Sequence, residues 1–376
     1  MAAWVLAWIG GLLLGGALTV LAADLVAVRV WRVAPSVLES GPPVSILKPL
    51  YGLEPDLYEI LRTFCVQDYP CYEVVFGIQD AKDPAGAVVR RLQAEFPDRD
   101  LVLVVNDRLI GSNRKVCNLA NILERARYGR LVLADADISV GPDYVRTVAA
   151  PLADAGVGIV TCLYRGNAHG GVWSRLGSLF IQDWFVPSVL LARLLGQSGF
   201  AFGATIALRR ETLAAIGGFE AFASHLADDY EIGARTRALG LRTVLSPYVV
   251  TTAVAEPTFA DLWAHQLRWL RTIRLVNPAG YAASVFSFAL PVAAIGGALV
   301  GSAWAWACVF LALVLRLMLH WRACRRLGAH AQWGLWPVAD LLLLALWVAG
   351  FLGRRVRWRD QRLAVGASGS IKASRE

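Results

Sequence analysis

Charge is what this chain has little of. Only 18% of its 376 residues are Asp, Glu, Lys or Arg, against 56% hydrophobic residues. Ordinary soluble domains carry about a quarter charged residues. The composition therefore excludes an ordinary soluble protein and implies membrane segments beside at least one globular domain. Cysteine is also sparse. There are six, with no CxxC pair, which excludes a disulfide framework or a thiolate zinc site and leaves reduced thiols in a cytosol-facing protein as the expectation. No basic n-region precedes the first apolar run, so a signal peptide is not expected. Internal repeats and low-complexity tracts are missing. The charge that exists leans basic, to a formal +8, without a zinc finger or an RNA-binding aromatic motif. Its arginines stand beside apolar runs, so topology and anionic lipid account for them and no nucleic-acid partner is expected. Fourteen tryptophans suit a membrane interface.

The long apolar runs lie at the two ends. Trp4 to Ala23 is uncharged and about long enough to cross a bilayer. Arg29 and Arg32 follow it, so the positive-inside rule places residues 1–32 as a span that enters the cytosol. Asp24 is its one awkward charge. Ala282 to Leu315 has no charge over 34 residues, too long for one helix of ordinary tilt. Two short spans with a Gly-Ser-Ala turn near Gly301 are expected. Leu335 to Leu352 is a further candidate within residues 282–352, with Asp340 inside it. Basic clusters at Arg322–Arg326 and Arg354–Arg359, the second in a basic tail over 353–376, flank that candidate. Three crossings and two crossings plus a re-entrant segment both remain open.

Between the ends, over 43–277, the pattern changes. Val44–Leu50, Tyr72–Asp80, Leu101–Val105 and Leu131–Ala134 read as strands. Asp56–Thr63, Pro84–Glu95 and Lys115–Arg127 read as helices. This βαβα order predicts an α/β domain with a mostly parallel sheet and helices on both faces. Ligands of such sheets bind beyond the carboxyl ends of the strands, where Asp80 and Asp135 fall. Leu176–Leu195 is apolar but holds Asp183 and Pro187. An interfacial helix and a buried core helix are equal readings of it.

The carboxylates carry the chemistry. VLADADISV, Val132 to Val140, ends an apolar strand in Asp135 and Asp137. A D-x-D at a strand end can hold Mg²⁺ or Mn²⁺ through oxygen and bridge it to substrate phosphates; it can equally be a turn. LADDYEIG adds Asp228, Asp229 and Glu231, which could supply a general base or merely open a helix. HQLRWLRTIR, with His265, Arg268 and Trp269, could clamp a diphosphate or bind anionic lipid. An aspartyl-phosphate phosphatase also pairs D-x-D with a later D-D. There, however, the first aspartate ends the opening strand of its domain, and here three strands precede it.

In order, VSILKPL, VQDYP, GIQDAKDPA, GSNRKVCNLA, DADI, ADDYEIG and an x-x-R-W stretch resemble the membrane-bound ceramide glucosyltransferase family. The likeness covers about Val44 to Asn277. It implies a GT-A fold and inverting transfer from a UDP-sugar to a membrane lipid. Asp80 is then expected on the nucleotide, and Lys115, in the N-x-K of Asn113 to Lys115, near the uridine or phosphates. Asp135 takes the first metal-associated position, with Asp137 beside it, and Asp229 is the catalytic base. Arg268 and Trp269 end a motif usually written Q/R-x-x-R-W. This chain departs from it with His265 at the first position, whose implied role is donation to the diphosphate or substrate. FGATIALRRETLAAIGGF, HLADDYEIG and TCLYRG resemble a bacterial branch that places N-acetylglucosamine on hopanoids, which implies UDP-N-acetylglucosamine, bacteriohopanetetrol and a bacterial inner membrane with the catalytic domain in the cytosol. Ceramide with UDP-glucose is the alternative, and a processive polysaccharide synthase a distant one.

Overall fold

The computed structural model describes residues 2–31, 41–197, 199–353 and, beyond these, the backbone of 355–358, 361–365 and 371–373. Arg32, Arg354 and Arg359 from the basic clusters lie outside the described residues.

The first element, α1 (Ala2–Val30), is a 29-residue helix that is apolar on every side. The chain then alternates β1 (Val44–Pro49), α2 (Leu57–Cys65), β2 (Tyr72–Ile78), α3 (Ala85–Glu95), β3 (Leu101–Val105), α4 (Arg114–Leu123) and β4 (Arg130–Leu133). All three pairings among these strands are parallel, in the order β3-β2-β1-β4. Both faces of the strands are covered, which is why they read as continuous apolar runs. Ile46, Val74, Phe76 and Val132 face one core with Leu61, Phe64 and Val89 from α2 and α3. Leu47, Val75, Leu131 and Leu133 face the other with Val116 and Leu119 from α4. Alternate residues point to opposite faces, as the period of two requires.

After β4 the sheet becomes mixed. The chain adds β5 (Ile138–Ser139), α5 (Tyr144–Ala149), β6 (Val157–Ala168), α6 (Val172–Phe180), a π-helical turn at Ile181–Phe185, α7 (Val186–Leu194), β7 (Ile206–Arg209), α8 (Arg210–Ala215), α9 (Asp228–Ala238) and β8 (Arg242–Val254). The full order is β3-β2-β1-β4-β7-β6-β8-β5. β7 runs antiparallel to both β4 and β6, β5 is antiparallel to β8, and β6 and β8 are parallel. The mostly parallel α/β reading therefore holds for the first half of the domain and is tempered in the second.

A long helix, α10 (Phe259–Val276), leads to α11 (Pro278–Ala283), α12 (Ala289–Val300), α13 (Ala303–Leu327) and α14 (Trp336–Gly350), then to a three-stranded antiparallel sheet of β9 (Arg355–Trp358), β10 (Gln361–Val365) and β11 (Ile371–Ala373). Among the described residues, α1 and α13 are each long and apolar enough to cross a membrane. Residues 278–300 count as a third only if the pair bent by 72° is taken as one span. This points to a membrane protein. Gly301 makes the turn between α12 and α13 in the left-handed conformation, with Ser302 capping α13. The candidate at Leu335–Leu352 forms α14, whose 15 residues are fewer than the ~20 that span a bilayer.

The Leu176–Leu195 segment takes the buried reading. Its π-turn lets one more residue into the helix and turns Asp183 into the apolar helices. There Asp183 meets Arg316 of α13 at 3.3 Å and His320 at 2.8 Å, and Arg316 also forms a bidentate pair with Asp340 of α14 at 2.6 and 2.8 Å. These charges are buried and can stay so because they are paired. The same pair explains Asp340, the charge that interrupts the last apolar run. All six cysteines are free thiols.

Candidate active site

The parallel register brings the strand ends together. Leu133 of β4 pairs with Leu47 of β1, and Pro49 of β1 with Gly77 of β2. Asp135 and Asp80 therefore leave the sheet at one edge, the carboxyl edge. Asp80 is exposed there, and its carboxylate accepts from the Lys82 N–H at 2.8 Å.

Lys115 is the hub. It lies in the first turn of α4, with only 17% of its side chain exposed, and bridges Asp135 at 2.7 Å and Asp228 at 3.2 Å. Burial opposes its charge, but Asp135 and Asp228 outweigh burial and raise its pKa. The preceding Gly-Ser-Asn is what puts it there. Asn113 caps α4 by accepting from the Val116 N–H at 3.1 Å and donates to the His225 carbonyl at 2.8 Å. Its own N–H reaches the Ala223 carbonyl at 2.7 Å. Gly111 lies so close to this segment that a Cβ would fall 2.3 Å from the Ala223 oxygen. These contacts staple the start of α4 to the turn before α9 and so hold Lys115 beside Asp228. Asn113 itself is fully buried, with both ends of its amide engaged in the protein.

Asp229, next to Asp228 in the first turn of α9, faces a different way. Its carboxylate accepts from its neighbour Tyr230's N–H at 2.8 Å and from the Gly203 N–H at 3.1 Å. Burial, and next the Asp228 charge, push its pKa up to about 6, against the pull of Lys115 and the two N–H groups. Gly203 joins the two halves of the site. A Cβ there would lie 3.1 Å from both Asp135 Oδ2 and Lys115 Nζ, so the peptide that holds Asp229 also closes over the Asp135–Lys115 pair.

Beneath the D-x-D sits Lys48. It is fully buried on β1, donates to the Asp135 carbonyl at 2.5 Å, and lies 4.0 Å over the Phe64 ring. Burial lowers its pKa to about 7, opposed by Asp137 and Asp135. Asp137 accepts from Thr252 of β8 at 2.5 Å, and burial followed by the Asp135 charge raises its pKa. Two carboxylates one residue apart, with an oxygen-only donor set, fit a hard divalent cation. Asp135 Oδ1 is taken by Lys115, and the Asp135 side chain keeps 34% of its surface exposed. Among the described residues Asp183, His320 and Cys324 also lie within 4.8 Å of one another. That cluster fits a metal poorly. His320 Nδ1 is bonded to Asp183, its Nε2 accepts from the Gln332 N–H at 3.2 Å, and Arg316 already neutralises the carboxylate.

Aromatic side chains wall the site. Tyr164 of β6 stacks on Phe185 at 4.8 Å, and Phe185 meets Phe202, the neighbour of Gly203, at 5.2 Å. Trp269 of α10 packs on both Tyr164 and Phe185, at 6.2 and 6.1 Å. Burial raises the Tyr164 pKa far above its usual value, Asp229, Asp137 and Asp135 raise it further, and Arg268 lowers it. His265 lies edge-on to Trp269 and holds Glu256 through Nδ1 at 2.8 Å. Glu256 is buried, and its backbone N–H donates to Ser174 at 3.0 Å.

Lys48, Tyr164, Gly203 and Glu256 are site residues that the motif reading missed. Only Lys48 left a signal in the sequence, as a lysine inside an otherwise apolar strand.

Compared with known proteins, residues 12–371 match Glycosyl transferase family 21. The chain belongs to this family. Among relatives of the family 21 chain, Ceramide glucosyltransferase 1 of Caenorhabditis elegans is 24% identical over 231 residues, covering 61% of this chain and 49% of the worm protein. A Gibberella zeae ceramide glucosyltransferase is 30% identical over 110 residues, or 27% of this chain and 21% of that one. The chain spans about half the length of the worm relatives it matches. The mannosyltransferase PcManGT from Pyrobaculum calidifontis, solved with GDP-Man and Mn²⁺, superimposes with a TM-score of 0.61 at 22% identity over 92% of this chain and 99% of that one. The family 21 chain thus has a GT-A type fold.

Proposed function

We propose that this chain is a membrane-bound inverting glycosyltransferase that moves a sugar from a UDP-sugar to a lipid hydroxyl. The observation that carries the reading is Asp229. Its carboxylate is fixed by two backbone N–H groups beside the Asp135–Lys115 pair, and burial tunes its pKa to about 6, within reach of neutral operation as a general base.

In this reading the donor's diphosphate lies over Lys115 and the D-x-D, with Asp80 toward the nucleotide. His265 and Arg268 of α10 donate to the leaving group, and Glu256 holds the His265 ring through Nδ1 at 2.8 Å, which leaves Nε2 as its second nitrogen. Asp229 takes the proton of the acceptor hydroxyl. The oxygen attacks the anomeric carbon from the face opposite UDP, the bond to the diphosphate breaks, and configuration inverts. A Mg²⁺ or Mn²⁺ ion held by Asp135 and Asp137 would supply charge neutralisation for the departing diphosphate. Tyr164, Phe185, Phe202 and Trp269 offer an apolar wall to the lipid. The π-turn links that wall to the helices, since Phe185 follows Asp183 by two residues.

N-acetylglucosamine from UDP-N-acetylglucosamine and a hopanoid acceptor, bacteriohopanetetrol, are the substrates favoured by the FGATIALRRETLAAIGGF and TCLYRG stretches. The names of the curated relatives favour a second pair, UDP-glucose and ceramide. Arg29 in the last turn of α1 favours a cytosolic catalytic domain on the bacterial inner membrane. Incubating purified protein with each UDP-sugar and extracted bacterial lipid or ceramide, then weighing the product, decides between the pairs. UDP release with no glycolipid from any combination overturns the transferase reading.

A further inference from the structure

The positive-inside rule asks for arginines near the ends of spans. It does not ask them to line one cavity. Yet where α1 and α13 meet at their carboxyl ends, a cavity of about 570 Å³ is lined by Val28, Arg29, Trp321, Arg322, Arg325 and Arg326. Four arginines line it. Among the described residues none of the four forms an ion pair with a carboxylate, whereas Arg316, further back on α13, is paired with Asp183 and Asp340. The side chains are organised. Arg326 donates to the Arg29 carbonyl at 2.9 Å, which pins the two helices together, and the Arg325 guanidinium lies 4.9 Å over the Trp321 ring. Trp321 is 41% exposed, and its ring sits where an interfacial tryptophan belongs.

We propose that this cavity binds the phosphate headgroup of an anionic phospholipid. Guanidiniums match phosphate oxygens in a bidentate fork, and basic pockets between spans suit anionic headgroups. A lipid is favoured over free phosphate by what adjoins the cavity. About one turn away along the two helices, Val26, Leu317 and Met318 are exposed apolar residues, a surface that acyl chains cover. The site is also tied to the sheet domain. Arg165 of β6 donates to the Leu327 and Gly328 carbonyls at 3.0 and 2.6 Å, at the end of α13. A headgroup held here therefore braces α1 against α13 on the side of the membrane where the α/β domain attaches.

The test follows thermal unfolding of the full chain in neutral detergent, titrated with phosphatidylglycerol, phosphatidylcholine or inorganic phosphate. Phosphatidylglycerol is expected to raise the unfolding temperature in a saturable way, and the other two to do little. Arg322→Ala with Arg325→Ala should raise the half-saturating lipid concentration by about tenfold or more. Arg90→Ala with Arg91→Ala, an equal charge loss on α3, should leave it unchanged. Arg326 is kept because it joins the helices. Should the first pair fail to fold, salt on the native protein still decides, since screening must weaken the phosphatidylglycerol response. An unaltered response in the folded Arg322/Arg325 variant, a salt-independent one, an equal response to phosphatidylcholine, or a full response to inorganic phosphate each overturns the proposal.

Discussion

Lys115→Met tests how the site is wired, because Lys115 bridges both acidic motifs. Methionine keeps most of the stem and removes the charge. Two carboxylates, Asp135 and Asp228, then lose partners at 2.7 and 3.2 Å. Breaking a fully buried pair costs about 3–5 kcal/mol. The Asp135 side chain is 34% exposed and that of Asp228 10%, so solvent recovers part of this and about 2–3 kcal/mol is expected. Denaturant unfolding in detergent at pH 7.5 reads the loss. A second effect follows at Asp229. Lys115 is a charge that lowers its pKa, so removing that charge moves Asp229 above about 6. The pH of half-maximal transfer should then rise, and Lys115→Arg should bring it back toward the native value. A stability loss below about 0.5 kcal/mol, or a pH midpoint that stays or falls, would refute the wiring.

Three other outcomes are expected. In the native protein kcat/KM should rise as pH climbs through about 6 and then level off, because Asp229 works as a base only once it has lost its proton; a rate that falls over that interval contradicts the assignment. Glu256→Gln should lower kcat by roughly tenfold with little change in unfolding temperature, since it weakens the hold on His265 at 2.8 Å while keeping the shape; an unchanged pH–rate profile and kcat would remove Glu256 from the site. Arg316→Met should destabilise the helices by about 3–5 kcal/mol, because Asp183 and Asp340 are left buried without a cation. Arg316→Met with Asp183→Asn and Asp340→Asn should recover most of that, as measured by thermal unfolding.

Much of this was legible because it rests on local pattern. The βαβα alternation of period-2 strands and amphipathic helices follows from burial on both sheet faces, and it placed Asp80 and Asp135 at the carboxyl edge. Gly301 announced its turn. What stayed hidden depends on contacts distant in sequence. Gly203 matters because it meets Asp229 from 26 residues away, and Glu256 because α10 brings His265 back to it. The antiparallel β7 reads like any short apolar strand, since direction leaves no mark on composition. The π-turn at Ile181–Phe185 was invisible for a similar reason. Arg316, which Asp183 in that turn meets, lies 133 residues away. Asn113 shows the reverse case. The motif that contains it was found, but its side chain turned out to be a buried helix cap that positions Lys115.

The base assignment is tested most directly with Asp229→Asn, an isosteric change that leaves the carboxylate's place filled. Donor binding is measured by calorimetry with the UDP-sugar that supports product formation, and transfer by product mass with the same lipid extract. Donor affinity should stay near the native value while transfer falls by about a hundredfold or more. Transfer at a near-native rate, or loss of donor binding in step with activity, would contradict the account.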